Sequence, residues 1–600
     1  IERKLPCIAP PLTCLVKNCL RQKLEIMSDF NPLDRAKVAV HRSSFDLSSK
    51  KLFTAKIGEI LPCYWQITIP GNKYRISSDW FTRTVPVNTA AYTRIKEYYD
   101  FYAVPLRLIS RALPQAFTQM TDYMTSAVSN TANSEMLTSV PNTTLSLLSL
   151  SLQTINGNDV LDDAGLPYAY GASKVLDMLG YGSFLAPSNT AKAVITKAYL
   201  GKDKVADVDN PLVYSVSQTV NLLPLLAYQK IYYDFFSESQ WEKHLAYSYN
   251  VDYWDGKSQL TLAPEMLQLR YANYPKDYFM GMLPASQYGS VASLPGVYNT
   301  RGSSNSVVSV GNPNVDYIVN PKESSSIVAS GTFASQRAVQ LNSDLSALSI
   351  RATEYLQRWK EVVQFSSKDY SDQMSAQFGI KAPEYMGNHA HYIGGWSNVI
   401  NINEVVNTNL DANDSQASVA GKGVGSASGH TLTYDCGAEH QIIMCVYHAV
   451  PMVDWNLTGQ NPQLTVTAIT DFPQPAFDQL GMQPVPALNL QNNPSRTVSG
   501  SIGYNLRYWQ WKTNIDTVHA AFRSGMAYQS WVAPIDGWDV LTSSGTWSYQ
   551  SMKVRPQQLN SIFEPQVSGA NCSVAYDQLL CNINFQVYAV QNLDRNGLPY

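Results

Sequence analysis

Charge is what this sequence has least of. Lys, Arg, Asp and Glu make up 15% of its 600 residues, where typical soluble domains carry about 25%. The net charge is −3, so no global basic field gathers nucleic acid, and any such contact must come from local patches. Long apolar runs are missing too. None reaches the ~20 residues needed to span a bilayer, which argues against membrane insertion. The apolar stretch 8–16 is broken by Pro10 and Pro11, and no small-residue cleavage site follows it, which speaks against a secretory signal. The eight cysteines (Cys7, Cys14, Cys19, Cys63, Cys436, Cys445, Cys572 and Cys581) include no C-x-x-C pair. Zinc-ribbon and dithiol redox signatures are thereby excluded. Scattered thiols in a long chain read as reduced and buried, as in a cytoplasm.

Catalytic motifs are equally scarce. Gly421-Lys422-Gly423-Val424-Gly425 has the wrong spacing for a phosphate loop or a dinucleotide fingerprint, and reads as a flexible turn. G-x-S-x-G and H-E-x-x-H are absent. His389 and His391 would share a face on a strand, as metal ligands can. No carboxylate or thiol stands at ligand spacing beside them, and Gly387, Gly394 and Gly395 flank them. They read as surface or interface histidines on a loop, and Asp162-Asp163 as turn residues. Nothing here points to an enzyme, a cofactor or a bound metal.

Tyrosine is abundant, at 37 residues. Low charge with many aromatics suits a protein that buries surface against neighbours. Strand signals are clear at four places. In 61–77, Trp65, Ile67 and Ile69 alternate with other residues, Pro70-Gly71-Asn72 is a turn signal, and Tyr74 and Ile76 resume the alternation; this reads as a β-hairpin. The aromatic stretch 98–105 and the apolar stretch 441–450 read as buried strands. In 581–590, Ile583, Phe585, Val587 and Ala589 face one side, a period of two. One long helix is expected, with Leu345, Leu348, Ala352, Leu356, Trp359 and Val363 on its buried face and Asn342 or Ser343 as N-cap. A shorter helical pattern covers 172–179. Residues 27–51 are polar and basic: Arg35, Lys37, Arg42, Lys50 and Lys51, with Phe45 and Phe53 nearby. They suit a solvated arm or a single-strand nucleic-acid contact, in which cations and aromatic faces cooperate. Pattern alone gives a mainly β protein with long insertions.

Several blocks closely resemble the major capsid protein of the Microviridae, small single-stranded DNA phages, in their gokushovirus-like branch. They include 223–236, Leu269-Arg270-Tyr271-Ala272-Asn273-Tyr274-Pro275-Lys276-Asp277, 279–289, 356–361, 378–386, Tyr447-His448-Ala449-Val450-Pro451, 471–478, and Asn592-Leu593-Asp594-Arg595-Asn596-Gly597-Leu598-Pro599-Tyr600. The resemblance implies a single eight-stranded jelly roll, the viral capsid β-sandwich, over 61–600, with insertions at about 120–220 and 288–342. It implies self-assembly into an icosahedral virion around circular single-stranded DNA in a bacterial cytoplasm. The implied partners are an internal scaffolding protein, a DNA pilot protein, a small DNA-binding protein and a host receptor. Residues 27–60 would be an N-terminal arm facing the genome. Residues 1–26, which precede Met27, would be translated upstream sequence or a disordered segment, with an ordered arm as the other reading. Capsids of this branch raise protrusions from an insertion, here assigned to 288–342 with Val307, Val308, Val310, Val315, Ile318 and Val319, with 120–220 as the rival segment. A reading from another class is a secreted glycan-binding β protein, since Tyr, Trp and Asn richness suits sugar platforms.

Overall fold

The computed structural model describes most of residues 41–595. Residues 1–40, 115–139, 183–216, 286–346, 407–418, 487–500, 533–551, 564–576 and 596–600, with some shorter stretches, lie outside the described residues. Arg35, Lys37, the six valine and isoleucine positions of 307–319, Leu345 and the expected N-cap fall among them.

The fold is mainly β. Its strands are β1 (Ser43–Asp46), β2 (Ser49–Ala55), β3 (Glu59–Thr68), β4 (Lys73–Thr84), β5 (Ile95–Pro105), β6 (Asn142–Thr144), β7 (Thr219–Asn221), β8 (Arg270–Tyr271), β9 (His391–Val406), β10 (Val419–Ser428), β11 (Leu432–Asp435), β12 (Gln441–Pro451), β13 (Gln483–Pro486), β14 (Ser501–Asn505) and β15 (Leu579–Gln591). Eleven of them form one antiparallel sheet in the order β1-β15-β4-β10-β9-β5-β12-β3-β8, with β2 also on β15 and β11 also on β4. Alternation explains the local choices. β15 buries Ile583, Phe585, Val587 and Ala589 and exposes Leu580, Asn584, Tyr588 and Val590, as its sequence pattern predicts. β12 is buried along its whole length, as a strand covered on both faces must be.

The sheet folds over on itself. Phe585 of β15 packs 5.3 Å from Tyr64 of β3 and 6.1 Å from Phe101 of β5, although these strands are not neighbours in the sheet order. Trp80, Tyr99, Trp396 and Tyr447 extend the same ring cluster across four strands. The core therefore lies between two halves of one sheet.

Two sequence expectations are corrected here. The turn at Pro70-Gly71 exists, with Gly71 at φ +80°, but β3 and β4 do not pair as a hairpin. β3 pairs with β12 and β8, and β4 with β15, β10 and β11. The turn's backbone is taken elsewhere: Gly71 N–H donates to Gly437 O (2.7 Å), and Asn72 O accepts from Cys436 N–H (2.9 Å). The turn is a corner that carries the chain from one half to the other. The glycine-rich stretch 421–425 is not a turn; it lies inside β10. A Cβ on Gly423 would stand 2.5 Å from Thr84 Cγ2, and Gly423 N–H donates to Thr84 Oγ1 at 2.7 Å. Glycine is needed because β10 passes that close to β4.

Helices α1 (Leu145–Asn156), α2 (Tyr168–Leu179) and α3 (Leu223–Ile231) cover the β12–β3 half. Every residue of α3 is buried, and it widens into a π-type turn, Tyr232–Phe236. Tyr228 of α3 donates to Ile60 O (2.9 Å), and Trp65 donates to Leu179 O (2.9 Å). Below α2 lies a buried ionic cluster. Lys174 contacts Glu59 (2.5 Å) and Asp577 (3.1 Å), and Lys56 contacts Asp577 (3.1 Å). Burial alone would raise the pKa of Asp577, but Lys174 and Lys56 hold its carboxyl well below the ordinary range. Asp162 and Asp163 are buried as well: Tyr271 donates to Asp162 (2.7 Å), and Asp163 lies 3.9 Å from Arg270.

The long helix is present as α4 (Ala347–Phe365), followed by α5 (Tyr370–Phe378), but its apolar stripe is not buried. Leu348 is 76% exposed, Leu356 45% and Trp359 53%. The Trp359 indole donates to Gln377 of α5, at 3.3 Å. The helix is amphipathic without an intramolecular partner for that face among the described residues.

Candidate nucleic-acid interface

The outward face of the β2-β15-β4-β10 half follows from the same alternation that fills the core. Buried Tyr74, Ile76, Trp80 and Thr82 of β4 leave Lys73, Arg75, Asp79, Phe81 and Arg83 pointing away. The register sets Arg83 opposite Leu580, Phe81 opposite Asn582, Asp79 opposite Asn584 and Arg75 opposite Tyr588. β2 adds Lys50 opposite Asn584 and Leu52 opposite Asn582. The Arg83 guanidinium lies 4.9 Å over the Phe81 ring. Gln586 bridges, accepting from Ser77 Oγ (3.3 Å) and donating to Asp79 (3.1 Å). Arg42 stands at the end of this face beside the 70–72 corner and donates to Asn592 Oδ1 at 2.9 Å. Exposed cations, two aromatic rings and a row of amides are the groups that hold a single strand by its phosphates and stacked bases.

Of the five sequence candidates, Arg35 and Lys37 lie outside the described residues. Arg42 and Lys50 join this face, whereas Lys51, half-buried, turns to the other side of β2, where its charge acts on Asp177 of α2. Sequence reasoning missed Arg75, Phe81, Arg83 and Tyr588. Their signal was present, since Lys73, Arg75 and Arg83 sit at even spacing in one strand, the period that shares a face.

His389 and His391 both line the larger of two clefts. His391 stacks on Tyr434, with ring centroids 5.7 Å apart, while His389 acts on the carboxylates of Asp234 and Asp369. Asp234 accepts from Ala390 N–H (2.8 Å) and Asp369 from Asn388 N–H (2.6 Å), so these acids order the loop that enters β9. Two clefts, of about 410 and 720 Å³, share Phe235 and His389 in their walls. Among the described residues no group of three or more His, Cys, Asp or Glu is placed to hold a metal ion. His448 is buried between Tyr98 and Phe236, and burial pushes its pKa down to about 3. Cys63, Cys436, Cys445 and Cys581 are buried free thiols. No helix among the described residues is long and apolar enough to cross a membrane.

The sequence matches the family described as capsid protein (F protein) over residues 35–166 and 197–593. Capsid protein VP1 of Chlamydia phage 1 is 24% identical over 192 residues, 30% of this chain and 32% of that protein. Capsid protein VP1 of Bdellovibrio phage phiMH2K is 23% identical over 335 residues, 51% of this chain and 61% of that protein. The chain thus spans about a third and about three fifths of these two curated relatives.

Proposed function

Because the chain belongs to the capsid protein (F protein) family of phages, we propose that it is the major capsid subunit of a gokushovirus-like member of the Microviridae, whose copies close into an icosahedral shell around circular single-stranded DNA. The family match carries this reading. The strand order supports a jelly roll inside the sheet. Eight strands fall into two runs of four, β2-β15-β4-β10 and β3-β12-β5-β9, and the chain passes back and forth between them, as in two wound Greek keys. Assembly takes place in the bacterial cytoplasm with a scaffolding, a pilot and a small DNA-binding protein as partners. Residues 288–342 supply the host-facing protrusion. A secreted glycan-binding role is not favoured, since the matched relatives are capsid proteins.

On this reading the face bearing Arg75, Phe81, Arg83, Lys50 and Arg42 contacts the genome, with Arg35 and Lys37 contributing from the arm. Electron microscopy of the expressed chain with its partners should show uniform small particles; their absence overturns the capsid reading. The double substitution Arg75→Gln and Arg83→Gln should leave particles intact and lower their DNA content. For single-strand binding by the free subunit, the slope of log affinity against log salt should fall by roughly 1.4, about 0.7 per lost phosphate contact. Unchanged DNA content would overturn the assignment of this face alone.

A further inference from the structure

One residue on the β2-β15-β4-β10 face does not suit a surface that only holds phosphates. Asp79 lies midway along β4 between Arg75 and Arg83, four residues from each, or about 13 Å at the rise of a strand. The alternation of β4 turns all three outward and exposes them. Arg75 and Arg83 make no ion pair among the described residues, so their charges are available to phosphates. At the corner end of the same strand, Asp435 pairs with Lys73 at 3.0 Å. Asp79 has no such cation among the described residues.

What surrounds Asp79 is an amide, a ring and open solvent. Gln586 Nε2 donates to Asp79 Oδ2 at 3.1 Å, while Gln586 Oε1 accepts from Ser77 Oγ at 3.3 Å. Asn584 of β15 stands opposite Asp79 in the ladder. Phe81 is the next outward residue along β4, with the Arg83 guanidinium 4.9 Å over its ring. An ionised carboxylate accepts about four hydrogen bonds and donates none, so Asp79 keeps acceptor capacity on both oxygens. A single strand held by its phosphates at Arg75 and Arg83 passes Asp79 between them. A phosphate at that point would meet a like charge, whereas a base edge that carries N–H groups would meet an acceptor.

We propose that Asp79 selects a guanine in the single strand that crosses this face, accepting the guanine N1–H and 2-amino hydrogens on its carboxylate while the base stacks on Phe81. The inference rests on the genome-contacting reading of this face. Of the four bases, guanine alone has two adjacent donors on the pairing edge that a single strand leaves open. Adenine and cytosine offer an amine beside a ring-nitrogen acceptor. Thymine offers one N–H between two carbonyls, whose lone pairs repel a carboxylate. The arginines hold any strand by its phosphates, which fixes position without reading sequence, and a contact to a base edge adds the reading. Stacking on Phe81 tolerates every base, so the preference comes from Asp79.

The test measures binding of the full chain, as free subunit, to short thymidine oligonucleotides that differ only in the central base: thymine, guanine, adenine, cytosine or hypoxanthine. The guanine oligonucleotide should bind about fivefold tighter than the all-thymidine one, the low end for a bidentate contact. Hypoxanthine lacks the 2-amino group and should fall between them. The slope of log affinity against log salt should be the same for all, because the phosphate contacts are the same. Asp79→Asn keeps an acceptor for Gln586 but sets one donor beside one acceptor, the pattern that suits adenine. It should lose the preference for guanine, favour adenine and keep the parent's melting curve. Equal affinity of the parent for every oligonucleotide would overturn the inference. So would a guanine preference that survives Asp79→Asn, including the case in which that change tightens binding to every oligonucleotide alike. Binding that Arg75→Gln with Arg83→Gln leaves unchanged would instead sink the genome-contacting reading of the face.

Discussion

Asp100 sits on β5 with its carboxyl 3.9 Å from the His448 ring nitrogen and one hydrogen bond, donated by the Tyr392 hydroxyl at 3.1 Å. Burial raises its pKa to about 6, against the Tyr392 bond, which lowers it. In the unfolded chain the group ionises near 3.9. The folded state therefore holds its proton more tightly, and the group's contribution to stability is lost as pH rises from about 4 to 6. That loss is on the order of 2–3 kcal/mol for a shift of this size. Asp100→Asn removes the titration while keeping an acceptor for Tyr392. The variant should melt higher than the parent at pH 7.5 and at about the same temperature at pH 3.5. Equal melting temperatures at pH 7.5 would refute this account. Sequence could not show this residue's state, because Asp100 is buried by β9 and β12, some 300 residues away. The Lys56, Lys174 and Asp577 cluster was hidden for the same reason.

At the scale of single elements, β10 and α4 make opposite cases. β10 is a glycine-rich strand held against β4, where a methyl group has no room. Gly423→Ala should destabilise the free subunit by about 1–3 kcal/mol, the usual effect of overpacking. α4 has a core-like pattern that no core covers. Trp359→Ala should change the stability of the free subunit by less than about 1 kcal/mol, instead of the 3–5 kcal/mol of a buried tryptophan. Denaturant unfolding of both variants checks the contrast, and a larger loss for Trp359→Ala would place its ring in a core. β5, β12 and β15 were legible because a period of two, or an unbroken apolar run, marks a strand. Partners were not: the 61–77 alternation named two strands and a turn, yet the ladders ran to β12 and β15. The glycines of 421–425 suggested a turn because sequence shows conformational freedom and not the neighbour that demands it.

For the whole molecule, the family was legible from long blocks in order, while the proposed genome-facing surface was not, since β15 follows β2 and β4 by some 500 residues. A subunit with an uncovered apolar stripe such as that of α4 gains stability by association, because a partner that binds only the folded state shifts unfolding by mass action. Assembled subunits should therefore melt above free ones, and the free subunit's melting temperature should rise with concentration. A temperature independent of concentration and assembly would contradict this. The position of β15 also bears on how the chain is made. It lies between β4 and β2, and Phe585 fills the core against Tyr64 and Phe101. Every other strand among the described residues leaves the ribosome before it. Loop closure over some 500 residues must precede these contacts, which makes folding slow. Nascent chains thus wait with unpaired edges on β2 and β4, sites for wrong pairing, and the supply of competent subunits is set by chains elongated past β15.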